Sequence, residues 1–397
     1  MARLTSEHDQ QTSPSTPTAR VSTGTRVEDP TPSPAVLAPP MTVIAKRRVL
    51  GASSRLGLLS TIRDSRWRQR RLMILCYHSI SIDDEHRWSG TYSMSPETLE
   101  SRLRMLRDGD YNVLPLDEAL RRLYEGTLPP RSVALTFDDG MYDFRARAHP
   151  LLQEFGFPAT VYLTTYYSDY QKPIFGLFCS YVLWRAQTRR PTVDAQALLG
   201  RPGQWDLSTD AGRSRAHGEI MEHVAREQMA LPDRSAFAER LTAFLGDDYD
   251  ALLARRILTV MTNAEASALA RDGVDVQLHT HRHRTPNDQA LFTREIDENR
   301  ARIDAFRDTT ARHFCYPSGI YRPEFFGWLR DAGVVSATTC DPGLASPKSE
   351  PMLLPRLVDT SYLSALDVEG WLTGMSAFFM PRKASAHAHK PRATSDV

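Results

Sequence analysis

Two adjacent carboxylates, Asp138 and Asp139, end an apolar run and precede Gly140 in the stretch LTFDDG. An Asp-Gly pair after a β-like run is a common hairpin signal, so a plain turn is the first reading. Neighbouring carboxylates can also divide labour, one binding a metal ion while the other exchanges protons with water. A second cluster, HTHRH from His279 to His283, closes the run VDVQLHT. If a helix begins there, imidazoles four residues apart share one face and can reach one ion, while His281 projects elsewhere. A polar, basic loop is the alternative, since Arg282 and Arg284 interleave with the histidines. Two histidines and one carboxylate form an open ligand set used by catalytic zinc, with a position left for water.

The elements that must position these groups begin at Leu72, where short apolar runs alternate with helical periods, the pattern of repeated βα units around a parallel sheet. The predicted strands are LMILCYH, SVALTFDD, ATVYLTT, VDVQLHT, HFCYP and VVSATTC. Leu99, Leu103 and Leu106 mark one helix face, and Leu116, Leu120 and Leu123 mark a second. Phe144 to Phe155, Ala290 to Phe306 and Glu324 to Ala332 supply three more. Asp138 and Asp139, His279, and Tyr316 with Pro317 then all close strands at their C-terminal ends, the face on which α/β barrels build active sites. A turn shared by chance is disfavoured by that coincidence, and a parallel strand has no hairpin partner. The alternation loosens between about 166 and 256, which reads as a helical insertion.

Composition bounds the rest. The 397 residues carry a formal charge of +1, which gives no whole-chain case for nucleic acid. Cys76, Cys179, Cys315 and Cys340 are far apart and contain no CxxC pair, so a reduced compartment is the simpler expectation. Residues 1–40 are rich in Ser, Thr and Pro and are expected to be a disordered leader, with Met41 a candidate start. In 41–71, Lys46, Arg47, Arg48, Arg55, Arg63, Arg66, Arg68, Arg70 and Arg71 face one acid, Asp64. That basic amphipathic segment reads as a solvated helix leading into the fold or as a peripheral contact with an anionic membrane. It contains no signal-type or membrane-spanning run, so the expected location is cytoplasmic, with peripheral attachment at the inner membrane face. Residues 379–397 are expected to fray.

TFDDG, HTHRH and FCYPSG, in this order, resemble the polysaccharide deacetylases of the NodB-homology type, carbohydrate esterase family 4. The opening ILCYHSI and the LPR of Leu354 to Arg356 are similar to bacterial members, and the resemblance covers about 72 to 359. It implies a distorted (β/α) barrel over 72–378 and metal-dependent release of acetate from N-acetylated amino sugars of a polysaccharide, oligosaccharide or glycan precursor such as an exopolysaccharide. Carried over by position, it makes Asp138 the catalytic base and Asp139, His279 and His283 the ligands of a divalent metal, zinc by preference. The backbone amide of Ser318 is implied as an oxyanion donor, and Thr280 as a brace for the histidine loop. Tyr77, His78, Tyr316 and Pro317 are expected to line the glycan cleft.

The departures matter. Cys315 stands where many members carry the arginine that holds the base, and Arg356 is the substitute, unless it forms only a structural salt bridge. The family's late leucine-x-histidine motif, source of the general acid, has no match. His281 and His78 are the candidates for it, His387 and His389 lie in the tail, and Asp341 and Asp359 have no assigned role. A non-catalytic glycan-binding or scaffold relative, and an amidohydrolase acting on a non-sugar amide, are the competing readings.

Overall fold

The computed structural model describes residues 41–379; the expected leader, and the tail from residue 380 with His387 and His389, lie outside the described residues. The chain opens with three helices, α1 (Met41–Arg55), α2 (Leu58–Arg63) and α3 (Arg66–Gln69). Next come β1 (Met73–Tyr77), β2 (Ser79–Ile80), α4 (Glu85–Trp88), β3 (Ser93–Met94), α5 (Pro96–Asp108), β4 (Asn112–Val113), α6 (Leu116–Glu125) and β5 (Ser132–Phe137). A π-helical turn at Phe144–Ala148 leads into α7 (His149–Phe155) and β6 (Thr160–Leu163).

The insertion then runs through α8 (Thr165–Tyr170), α9 (Phe175–Arg185), β7 (Thr192–Asp194), α10 (Gln196–Leu199), β8 (Gln204–Asp206), α11 (Asp210–Arg226), α12 (Leu231–Phe244) and α13 (Tyr249–Ala254). The barrel resumes with α14 (Asn263–Arg271), β9 (Asp275–Leu278), α15 (Gln289–Asp304), β10 (His313–Cys315), α16 (Pro323–Asp331), β11 (Ser336–Thr338), β12 (Leu357–Val358) and α17 (Ala365–Leu372).

All six expected strands form, and they join one parallel sheet in the order β11-β10-β9-β6-β5-β1-β12, with β4 beside β5. Parallel strands buried on both faces need continuous apolar runs, which is why they are legible; MILCY and SVALTF are buried at every position. The gap between β11 and β12 is bridged by Leu354, whose N–H donates to Ala337 O and whose carbonyl accepts from Thr339 N. The sheet therefore curls into a distorted (β/α) barrel. The insertion also contains an unexpected antiparallel pair, β7 with β8, three residues each and too short to stand out from a helical background.

The basic segment 41–71 packs onto the barrel rather than standing apart. Leu50 is fully buried against α17, and the Arg68 guanidinium, also fully buried, donates to the carbonyls of Leu372, Arg71 and Ser132. Because Ser132 begins β5 and Asp138 follows its end, α3 lies at the end of the sheet opposite the candidate site, while Arg47 on α1 reaches Asp367 and the Tyr362 carbonyl after β12.

Candidate metal-dependent active site

Both aspartates follow β5. Asp139 at φ 68 and Gly140 at φ 72 turn the chain sharply, and a Cβ at Gly140 would come within 2.3 Å of Leu163 Cδ1, so only glycine fits. The turn sends the two carboxylates to different partners. Asp138 Oδ1 and Oδ2 accept from Arg356 Nη1 and Nη2, each at 2.7 Å, a fork matched to a carboxylate. Both side chains are almost fully buried, and Arg356 also donates to Thr339 O and Thr136 Oγ1. Burial pushes the Asp138 carboxyl upward, but the Arg356 charge and hydrogen bonds prevail and hold it well below the usual range. The thiols of Cys76 and Cys315 lie 3.4 and 3.3 Å from Asp138 Oδ2, so the cysteine at the family's arginine position packs against the pair.

Asp139 faces the histidines. Its Oδ1 lies 3.2 Å from His279 Nε2 and 3.2 Å from His283 Nε2, and the three donor atoms fall within 4.8 Å of one another. His279 Nδ1 is 2.9 Å from Cys315 O, an acceptor only, so this nitrogen carries the proton and Nε2 presents its lone pair inward. Donor chemistry and convergence both fit a divalent ion held by Asp139, His279 and His283.

Of the two readings of HTHRH, helix start or loop, the structure has the loop. Residues 279–283 are a loop, with Thr280 at φ 61 and His283 at φ 54, and α15 begins only at Gln289. Two left-handed residues bring the rings together without helical spacing. The face of α15 holds this loop: Asn299 Oδ1 accepts from His279 N, and Glu295, four residues earlier, accepts from Arg282 N and Arg284 Nε. Thr280 Oγ1 accepts from Arg284 N, bracing the turn.

Four further residues sort by strand parity. His78 is half-buried at the end of β1, its Nε2 3.9 Å from Asp138 Oδ2. Tyr77, one position earlier, must point to the other face; its ring packs on Phe137 at 5.1 Å and is 1% exposed, so the expected cleft role is corrected. Tyr316 is corrected for the same reason: Cys315 points inward, while the buried Tyr316 hydroxyl donates to Met352 O. Pro317 is buried too and offers no surface to a glycan. Ser318 lies exposed at φ 55 in the turn after β10, beside the strand that carries the carbonyl partner of His279. His281 points away: its Nδ1 meets Thr165 Oγ1 at 2.9 Å, and burial followed by the charges of Arg302 and Arg282 pulls it down to about 4.

Sequence reasoning missed Tyr92, whose hydroxyl donates to Asp139 Oδ2 at 2.9 Å. Its only signal is an aromatic in a polar loop, WSGTYSMS. Tyr92→Phe is expected to weaken divalent-ion binding about tenfold or more, as for other residues that orient a ligand. Chelator competition measures this; unchanged affinity would show the phenol to be idle.

Asp143 was also missed. It accepts from Ser79 Oγ at 2.6 Å and Ile80 N at 3.0 Å, fixing the turn that follows His78. Burial is the main cause that pushes its carboxyl from 3.8 up to about 8. The unfolded chain releases this proton first, so metal-free protein is expected to lose stability as pH rises from 3.8 to about 8. Asp143→Asn keeps a neutral acceptor and donor, and its melting temperature should lack that share of the decline.

The model of the family described as polysaccharide deacetylase matches residues 125–190 and 242–337. Over these residues the chain is similar to the polysaccharide deacetylases. The unmatched stretch between the two parts falls inside the helical insertion.

Over 94 residues the chain is 33% identical to YxkH of Bacillus subtilis, whose name places it among the polysaccharide deacetylases, covering 23% of this chain and 32% of that one. Over 74 residues it is 35% identical to the poly-beta-1,6-N-acetyl-D-glucosamine N-deacetylase of Staphylococcus aureus, covering 19% of this chain and 26% of that enzyme. The matches thus span a third or less of these relatives' length. The solved deacetylase PplD of Streptococcus pyogenes, in complex with acetate, shares the fold with TM-score 0.50 and 17% identity, covering 76% of this chain and 98% of that one.

Proposed function

We propose that this protein hydrolyses N-acetyl groups from amino sugars of a polysaccharide, oligosaccharide or glycan precursor, releasing acetate. The observation that carries the reading is the division of one Asp-Asp pair: Asp138 is gripped by a buried arginine, and Asp139 shares one oxygen between two imidazoles. A divalent ion, zinc by preference, would supply Lewis acidity toward the amide carbonyl and the attacking water. Asp138, kept ionised by Arg356, is suited to take the proton of that water. The Ser318 amide is the donor we assign to the developing oxyanion.

The proton for the departing amine comes, in this reading, from His78. Unlike His281, it is partly open to solvent and faces the Asp138 carboxylate, so it can exchange protons with the cleft. Water adds across the amide, acetate leaves with the new C–O bond, and the sugar nitrogen leaves as an amine. The relative from Staphylococcus aureus is named for an N-acetylglucosamine polymer, which supports testing that substrate class first.

The test is acetate release from a panel of N-acetylated glucosamine oligomers, with and without chelator. Release that chelator abolishes and added zinc restores is the expected result. A metal-loaded, folded protein that releases no acetate from any of them would sink the reading.

A further inference from the structure

The helical layer of residues 41–71 is built unlike the rest of the surface. Of the ten large hydrophobic side chains exposed among the described residues, five belong to the helical layer of residues 41–71 or to the C-terminal turn packed on it: Val49, Leu56, Leu58, Phe378 and Phe379, exposed by 42 to 73%. Val49 on α1 and Leu56, in the turn just after it, are both exposed. Arg48 and Arg55 are seven apart on α1 and exposed, so they share one side of that helix. On α3, Trp67 stacks on Phe378 at 4.9 Å, which joins the C-terminal turn to the same layer.

The arginines of this segment fall into two groups. Arg47 pairs with Asp367, Arg63 with Asp64, Arg71 lies over Trp67 at 4.2 Å, and Arg68 is buried. Arg48, Arg55, Arg66 and Arg70 are exposed and form no ion pair among the described residues. Asp64, the one acid of the segment, is already bound by Arg63 and Arg131. The described chain also leaves from this layer at Phe379, and the 18 residues that follow contain Arg382, Lys383, Lys390 and Arg392 against one acid, Asp396.

We infer that this helical layer is a docking face for an anionic lipid bilayer. Apolar side chains enter the boundary between headgroups and acyl chains, and unpaired arginines sit at the level of the phosphates. A nucleic acid would use the charges but gain nothing from Leu56, Leu58 and Phe379, which is why a lipid surface is the better occupant. Docked in this way, the face bearing Asp138 and Asp139 points away from the bilayer, because β5 runs from the covered end at Ser132 toward them.

The probe is the full chain with phosphatidylglycerol-containing vesicles and with pure phosphatidylcholine vesicles. Co-sedimentation with the anionic vesicles, lost in high salt and absent on neutral ones, is expected. The combined Arg48→Glu, Arg55→Glu, Arg66→Glu and Arg70→Glu variant should partition about a thousandfold less. Its melting temperature and its acetate release from a soluble oligomer should match the wild type, so failure here leaves the proposed activity standing. An environment-sensitive label at Leu56→Cys should shift to the blue on anionic vesicles, and one at Ile320→Cys, in the turn after β10, should not. Equal binding to both vesicle types, retained binding by the four-site variant, a shift at Ile320→Cys, or binding to nucleic acid but not to vesicles would each overturn the inference.

Discussion

Asp138→Asn is expected to keep the divalent ion and lower acetate release about a thousandfold, the scale of a lost general base. The amide is nearly isosteric, and Asp139, His279 and His283 are untouched, so metal content should equal that of the wild type. Two effects coincide in the loss. Asparagine cannot accept the proton of the attacking water, and its amide nitrogen must face a donor of Arg356 where Oδ2 now accepts at 2.7 Å. His279→Ala separates the roles, because it should lose both metal and turnover. Elemental analysis beside the acetate assay distinguishes the two variants. Hydrolysis by the Asp138 variant at the wild-type rate would remove Asp138 from the chemistry.

Arg356→Met is expected to be the most destabilising single change in the site, by roughly 3–5 kcal/mol, because it leaves a carboxylate buried without its partner. Arg356 is fully buried and reaches Asp138, Thr136 and Thr339 together, so no other cation can take its place. Adding Asp138→Asn to Arg356→Met should recover part of the lost stability, since no uncompensated charge then remains. Arg356→Lys should fall between, as one ammonium cannot reproduce the two-pronged contact. Denaturant melts of the four proteins form a cycle; additive effects would show that the fork contributes nothing as a pair.

The barrel was legible because its strands are buried on both faces and therefore written as unbroken apolar runs. Strands of two residues, such as β2, β3, β4 and β12, carry no such signature and appear only when their neighbours are in place. DDG and HTHRH were legible as clusters of reactive groups, but the sequence left open whether HTHRH opens a helix or forms a loop. Helical spacing would bring the imidazoles together, whereas the chain uses left-handed turns at Thr280 and His283, backbone states that residue types outside glycine announce poorly.

Tyr77 and Tyr316 were placed in the cleft because they stand at strand ends. Their neighbours Cys76 and Cys315 already occupy the inward positions, and a period of two leaves the tyrosines facing out. Asn299 and Glu295 escaped because polar residues four apart on an amphipathic helix look like an ordinary wet face, until a loop is found to need their oxygens. Arg356, more than two hundred residues from its partner in sequence, had only its place in LPR to suggest it.

The segment that bears His78 and Tyr92 is clamped from outside the barrel. Trp88 Nε1 donates to Ser180 Oγ on α9, the Tyr181 hydroxyl donates to Asp84 at 2.5 Å, and Arg185 bridges Asp84 and Asp247. The insertion is therefore a jig for the site without supplying any reacting atom. Substitutions in α9 are placed to shift the segment carrying His78 and Tyr92 while leaving Asp138, Asp139, His279 and His283 untouched.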